Sequence, residues 1–273
     1  MDLTAFAGEI GTEGPVTICG LGTRGGAVPH VRRVIAPSGI EWVQADEMTA
    51  ACGAGTAVAE LSAALAEVGQ RTVLPDGGTV GGALARGRSG IRRLGDGPMR
   101  DVLLQARYVG ADGALVKAGG PTVKNVSGFD VCRLLVGSMG TLGFVGAVIL
   151  RTRPKAPHAQ WFVRETDAPM AVFAMVHRPV AVLWDGLRVH TLLEGHRLDV
   201  AEIARQARLR ESAGPPPLPA NRHTLRPADV LSATARLAPG SFVAELGLGV
   251  VHAAPGSVTP LIVDAGVPPS LGE

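Results

Sequence analysis

Four Gly-Thr dipeptides fall within 120 residues: Gly22-Thr23, Gly55-Thr56, Gly78-Thr79 and Gly140-Thr141. Glycine lets the main chain approach a ligand closely. Successive amides in such a turn form a concave anion site, and threonine adds a hydroxyl donor. Turns of this kind converging on one molecule would suit a phosphate-bearing ligand. The first cluster also spells G-x-G-x-x-G at Gly20, Gly22 and Gly25. A Rossmann fingerprint must open a helix. Here Gly26 and Pro29 follow at once, no helix fits before the strand near Val34, and Glu41 comes after a Pro37-Ser38-Gly39 turn. The context argues against a Rossmann nicotinamide site and leaves open a glycine loop that binds pyrophosphate through backbone donors. No G-x-x-x-x-G-K-[ST] run occurs, which excludes a P-loop nucleotidase.

Other chemistry-bearing side chains are scattered. Arg86, Arg88, Arg92, Arg93 and Arg100 gather in one stretch, and a solvated loop is their simplest reading. Arg88, Arg92 and Arg93 are also candidates to pair a carboxylate bidentately. Cys19, Cys52 and Cys132 are far apart and form no C-x-x-C, which argues against a disulfide framework, an iron–sulfur cluster and a cysteine zinc site. His177, His190, His196, His223 and His252 show no i, i+4 metal pair, and no metal is expected. Trp42, Trp161 and Trp184 read as core or interface anchors.

The elements that must position these residues follow from patterning. Val16–Cys19, Met48–Cys52, Val102–Val109 and Phe144–Thr152 read as strands, and Asp112-Gly113 as a hairpin turn. Val58, Leu61, Leu65 and Val68 put one apolar face on a helix spanning 57–68, with Gly69 at its end. Residues 130–136 read as a short helix. The uncharged run 134–150 is too short and too glycine-rich for a membrane span. Arg153-Pro154-Lys155-Ala156-Pro157 reads as a linker, dividing the chain into 1–153 and 154–273. Beyond it, 161–164, 181–184 and 241–251 read as strands, 170–177 and 199–211 as helices, and 213–220 as a proline loop. Mixed elements give an α+β class. Net charge is only +2 and aromatics are 4%, which argues against a nucleic-acid partner. The start carries Asp2 and Glu9 with no basic segment, so no secretory signal is expected, and a cytoplasmic setting follows.

The run Thr79-Val80-Gly81-Gly82-Ala83-Leu84-Ala85, followed by Ser89-Gly90, Arg100-Asp101, Asp112-Gly113, Gly119-Gly120, Lys124-Asn125-Val126-Ser127-Gly128-Phe129-Asp130 and Gly137-Ser138-Met139-Gly140-Thr141-Leu142-Gly143, resembles the FAD-binding domain of the vanillyl-alcohol oxidase/p-cresol methylhydroxylase superfamily. The resemblance covers about residues 14–153. Within that superfamily it is most similar to the FAD-binding E subunits of bacterial glycolate oxidases. It implies a two-lobed FAD domain, with a small lobe of parallel strands and a larger lobe with an antiparallel sheet, followed by a shortened α+β cap over the substrate. It implies cofactor contacts from Gly20, Leu21, Gly22 and Thr23, from Gly78, Thr79, Val80, Gly81 and Gly82, from Ser89 and Gly90, and from Gly140, Thr141 and Gly143. The Gly53-Ala54-Gly55-Thr56 turn would support the adenine side. Phe129 stands where the family has Tyr.

The loop lacks the histidine that attaches flavin in some relatives, which implies non-covalent FAD. The family's usual C-terminal return segment does not appear before Glu273. The implied activity is oxidation of a 2-hydroxy acid such as glycolate, with hydride passing to flavin N5. Electrons would leave through partners, a second flavoprotein subunit and an iron–sulfur subunit, and those partners could hold the chain peripherally at the inner face of the membrane. His252, following an apolar strand, is a candidate acid or base facing the flavin, but no residue is assigned as catalytic. A rival reading makes the chain a non-catalytic FAD-binding assembly subunit whose partner holds the active site.

Overall fold

A computed structural model of the protein describes residues 1–23, 28, 30–121 and 129–258. The fold is α+β, and the chain divides into two compact units. The first comprises residues 1–90 and 97–155, and the second residues 91–96 and everything from Ala156 onward.

The first unit opens with helix α1 (Thr4–Ile10), which buries Phe6 and Ile10 one turn apart. Strands β1 (Val16–Cys19) and β2 (Arg32–Ile35) pair in parallel, Val16 opposite Arg32 and Cys19 opposite Ile35. Next come β3 (Ile40–Gln44), β4 (Thr49–Gly53), α2 (Val58–Glu67), the two-residue β5 (Gln70–Arg71) and α3 (Val80–Arg86). A short turn of helix, α4 (Arg93–Asp96), belongs to the second unit. The first unit then resumes with β6 (Leu103–Val109), β7 (Leu115–Gly119), α5 (Val131–Leu135), β8 (Phe144–Arg151) and β9 (Arg153–Pro154). Five of these strands form an antiparallel sheet in the order β3-β4-β8-β6-β7. The unit thus holds a parallel pair and a larger antiparallel sheet.

The sheet is covered by α2, α3 and α5. Helix α2 buries Val58, Leu61 and Leu65, one face at helical spacing. Each contributes about 1.5–3 kcal/mol through burial. They meet Val80 and Leu84 of α3, Cys132 and Leu135 of α5, and Val148 and Leu150 of β8. A smaller cluster joins Phe6 and Ile10 of α1 to Val34, Ala36 and Val109. Helix α3 falls inside the glycine-rich run that reads from sequence as a cofactor loop. Thr79 caps it, its Oγ1 accepting the Gly82 amide at 3.1 Å.

The second unit contains β10 (His158–Glu165), α6 (Pro169–Met175), β11 (Ala181–Trp184), β12 (Arg188–Gly195), α7 (Arg197–Gln206), β13 (Arg210–Ser212), β14 (Asn221–Thr224), α8 (Val230–Thr234), β15 (Phe242–Glu245) and β16 (Val250–Ala253). Seven strands form one antiparallel sheet, ordered β13-β10-β12-β11-β15-β16-β14. Its core joins Phe162, Val182, Leu193, Phe242 and Val251 to Val172, Val200 and Val230 of the helices. Trp184 and Phe242 meet edge to face at 5.4 Å.

Two sequence expectations are corrected here. The helix expected over 199–211 stops at Gln206. Arg208 takes a left-handed φ of 52°, and the chain leaves as β13, whose Ser212 pairs with Trp161. The strand expected over 241–251 is a hairpin, because Gly247 (φ 80°) and Gly249 (φ 71°) turn the chain between β15 and β16. Gly249 is held there tightly, since a Cβ would lie 2.1 Å from the Leu225 carbonyl oxygen.

Candidate cofactor site

The first unit holds a cleft of about 510 Å³, of the size typical for small-molecule and cofactor sites. Three separate stretches of chain build its walls. The first is β1 with the following residues Gly20, Leu21, Gly22 and Thr23. The second is the Ala54-Gly55 turn with the face of α3 formed by Thr79, Gly81, Gly82, Ala85 and Arg86. The third runs from Leu135 through the turn Ser138–Gly143 into β8.

Of the residues expected to contact a cofactor, Gly20, Leu21, Gly22, Thr23, Thr79, Gly81, Gly82, Gly140, Thr141 and Gly143 line this cleft. Four others lie off its wall. Val80 is fully buried in the core of the unit. The Gly78 carbonyl accepts the Val58 amide at 2.9 Å, tying α3 to the start of α2. Ser89 Oγ accepts the Met99 amide at 3.0 Å, and Gly90 follows it in the chain outside the cleft. Gly25, Lys124 and Asn125 lie outside the described residues, as does the rest of the 124–128 stretch.

The glycines on the wall act through close packing. A Cβ on Gly20 would meet Thr79 Oγ1 at 2.9 Å, and one on Gly81 would meet the Ala54 side chain at 2.9 Å. A Cβ on Gly55 would lie 2.1 Å from the Ala36 carbonyl oxygen. The cleft is therefore floored by main chain at several points. Many of its amides, however, already have acceptors. Val80 donates to Thr56 O, Gly81 to Ala54 O, Gly82 to Thr79 Oγ1 and Ala83 to Thr79 O. In the third wall, Met139 donates to Ala85 O, Thr141 to Ser138 O and Gly143 to Gly140 O. Among the described residues, the amides of Leu21, Gly22 and Thr23 donate to none. The free backbone donors of the cleft are thus concentrated in the loop after β1.

Thr56 is fully buried, and its Oγ1 accepts the Gly39 amide at 2.9 Å. The hydroxyl of this Gly-Thr dipeptide joins the turn to the 36–40 segment and is a structural group. Sequence reasoning missed Cys19, Arg86, Ser138, Met139 and Phe144, all on the wall. Met139 takes a left-handed φ of 54° and is largely exposed, an unusual state for a non-glycine residue. Its place between two motif glycines is the one hint of this in the sequence.

The candidate arginines separate. Arg92 Nη2 lies 2.6 Å from Glu194 Oε1, and its Nε lies 3.2 Å from Asp96 Oδ2. All three residues belong to the second unit, and the guanidinium serves protein carboxylates. Arg88 is exposed, and partial desolvation followed by the positive charge of Arg86 lowers its pKa. Asp130 caps α5 through the Arg133 amide and pairs with the Arg133 side chain at 3.2 Å. Phe129 is 91% exposed. In the second unit, His252 Nε2 lies 2.8 Å from Oε1 of the buried Glu245, and His190 Nε2 lies 3.2 Å from Asp185 Oδ2. Among the described residues, no group of three His, Cys, Asp or Glu side chains could hold a metal ion.

The walls fit a large ligand that is apolar over most of its body and anionic at one point. Among the described residues lining the cleft there is no carboxylate, and its surface is mostly aliphatic side chain and glycine backbone. The family model described as "FAD binding domain" matches residues 12–119. The first two walls of the cleft thus lie inside the stretch that is similar to that FAD-binding family. Three relatives show the breadth of the match. The D-lactate dehydrogenase of Archaeoglobus fulgidus is 37% identical over 143 residues, 50% of this chain and 32% of that protein. Glycolate oxidase subunit GlcE of Escherichia coli is 34% identical over 125 residues, 43% of this chain and 35% of that protein. A solved alkyldihydroxyacetonephosphate synthase superposes with a TM-score of 0.56 at 17% identity, covering 73% of this chain and 48% of that one. The matches thus span about a third of the length of these two curated relatives. No described helix is long and apolar enough to cross a membrane.

Proposed function

We propose that the chain binds FAD non-covalently in the cleft of the first unit and serves as the flavin-carrying part of an oxidoreductase for 2-hydroxy acids such as glycolate or D-lactate. The observation that carries this reading is the convergence of three glycine-rich segments on one cleft. In it, Leu21–Thr23 would donate backbone amides to the pyrophosphate, and Gly20, Gly81 and Gly82 would give the cofactor room against the main chain. Gly140, Thr141 and Gly143 would shape the wall opposite. Gly78 and Val80 would act by holding α3 in place, and Ser89 and Gly90 by fixing the chain that leaves it. FAD, when bound, supplies a two-electron acceptor for oxidation of the hydroxyl-bearing carbon. Non-covalent binding is the reading drawn from the sequence, in which the glycine loop after β1 holds no histidine.

The substrate class is supported by the similarity to proteins named as a D-lactate dehydrogenase and as glycolate oxidase subunits. We assign the substrate to residues 154–273. The three cysteines are isolated from one another, so the electrons leave through a partner. A second flavoprotein subunit and an iron–sulfur subunit fit that need, with the complex in the cytoplasm or peripheral at the inner face of the membrane.

The test is the visible spectrum of the purified chain, before and after anaerobic addition of glycolate or D-lactate. Bound flavin that bleaches supports the whole reading. A colourless protein that FAD does not reconstitute overturns it. Bound flavin that stays oxidised, also when a copurifying partner is present, overturns the substrate assignment and keeps the flavin site.

A further inference from the structure

The chain visits the second unit twice. Besides everything from Ala156 onward, that unit takes residues 91–96 out of the middle of the first. The excursion leaves at Gly90 and returns at Gly97, whose φ is 84°, and a Cβ on either glycine would meet nothing within 4 Å. Its tip is anchored in the second unit. Arg92 pairs with Glu194 of β12 at 2.6 Å and with Asp96 of the tip itself at 3.2 Å. The Gly95 amide donates to Val180 O at 3.1 Å, and a Cβ on Gly95 would lie 2.8 Å from Val180 Cα. Leu94 packs against the core of that unit. Val180 precedes β11 and Glu194 lies near the end of β12, so the tip closes the open end of the β11–β12 hairpin. The feet are held in the first unit. Ser89 Oγ accepts the Met99 amide at 3.0 Å, which closes the neck, and Met99 is buried in the core. Just before the neck, α3 ends, and its Ala85 and Arg86 line the cleft. Leu84 O and Ala85 O accept the amides of Gly137 and Met139 at 2.9 and 3.0 Å, so the end of α3 is stitched to the third wall.

We propose that residues 90–98 are a strap that couples occupancy of the cleft to the order of the β11–β12 hairpin, so that bound FAD stiffens the part of the chain assigned to the substrate. The proposal rests on the flavin reading above. A ligand that fills the cleft bears on α3 and on the third wall together, and the seam between them then opens less often. The neck between Ser89 and Met99 follows that seam directly, and the anchored tip carries its restraint into the second unit. The glycines give the strap its turns at the two crossings, and the Ser89–Met99 hydrogen bond takes up the slack they would leave. In the sequence Arg92 is a candidate for a substrate carboxylate. Here it holds carboxylates of the protein, and the basic stretch that reads as a solvated loop supplies the anchor of the strap.

The experiment follows amide hydrogen exchange by mass spectrometry on deflavinated full-length protein, with and without FAD. In wild type, FAD should slow exchange across residues 91–96 and 180–195 by roughly 5-fold or more. One variant carries a short Gly/Ser insert after Gly90 and another after Gly97, which lengthens the strap without touching its anchors and costs little stability. It should bind FAD with near wild-type affinity, respond as before in the first unit, and leave 180–195 unresponsive. The other variant, Arg92→Gln, releases the tip from Glu194 and should lose the response in the same segment. If either variant responds to FAD across 180–195 as wild type does, the coupling runs elsewhere and the proposal is overturned. It is equally overturned if wild type binds FAD and 180–195 does not respond, an outcome that keeps the flavin site. If one variant does not fold, the other decides. Wild type that binds no FAD overturns the flavin reading itself, and the trigger of the strap with it.

Discussion

Gly55 and Gly90 stand in the same family-like pattern, yet the structure gives them opposite sensitivities to a methyl group. A Cβ on Gly55 would lie 2.1 Å from the Ala36 carbonyl oxygen and 3.0 Å from the Pro37 carbonyl oxygen. Neither neighbour is a side-chain tip that can swing away. The Gly55 amide also donates to Pro37 O at 2.8 Å, which pins the two strands of chain together. To admit alanine, the 36–37 segment must retreat by close to an ångström and loosen that hydrogen bond. Overpacking plus a weakened buried hydrogen bond predicts a loss of about 3 kcal/mol for Gly55→Ala. For a unit of this size that lowers the melting temperature by about 6–12 °C. Gly55 and Ala36 both line the cleft, so FAD affinity should fall in the same variant. Nothing lies within 4 Å of a Cβ on Gly90, so Gly90→Ala should melt within about 1 °C of wild type or slightly above it. Differential scanning calorimetry on the two variants side by side decides the matter. A Gly55→Ala protein that melts with wild type, or a Gly90→Ala protein that falls as far as Gly55→Ala, would refute the packing argument.

Two further outcomes follow from the structure. Burial works to raise the Asp185 carboxyl, but the amides of Arg188 and Leu187 and the His190 ring together outweigh it and lower its pKa. A depressed folded pKa means stabilisation that is present above the ordinary carboxylate range and lost as pH falls through the folded value, so the stability gap between wild type and D185N should be widest near neutrality and shrink below about pH 4; a gap independent of pH in thermal melts would count against it. Cys19 is half-buried on the cleft wall, whereas burial raises the Cys52 thiol to about 12 and pushes the Cys132 thiol up, so alkylation of the native apoprotein at about pH 8 should modify Cys19 first and FAD should slow it; mass spectrometry showing Cys52 or Cys132 modified as fast as Cys19 would be the contrary result.

Strongly periodic and strongly β-branched segments are legible in the amino-acid pattern alone. The apolar face of α2 is read correctly because Val58, Leu61 and Leu65 are buried at helical spacing, and β1, β6 and β8 because each is a short, mostly apolar run bounded by turn residues. The hairpin β15–β16 is not legible, because Phe242 to Val251 is apolar almost throughout and only the left-handed Gly247 and Gly249 break it. The end of α7 is hidden for a related reason. Nothing in Ala207-Arg208-Leu209 forbids helix, and it is pairing of β13 with β10 that draws the chain away. Helix α3 is masked by its glycines, which disfavour helix by about 1 kcal/mol each. The cap supplied by Thr79 and the burial of Val80 and Leu84 override that preference.

The site shows the same division between what a motif names and what the fold does with it. Gly-Thr dipeptides announce close backbone approach, yet among the described residues only Gly55 of the four stands hard against main chain, and another tight glycine of the walls, Gly81, lies outside the dipeptides. The motif does not say what the approaching atoms are. At Gly81 the neighbour is Ala54, and at Gly55 it is the Ala36 carbonyl, so these glycines serve contacts within the protein as well as space for a ligand. The threonines divide likewise, with Thr56 and Thr79 holding backbone amides of Gly39 and Gly82 while Thr23 sits on the open loop after β1. An anion in this cleft therefore meets far fewer free donors than the count of glycine turns implies.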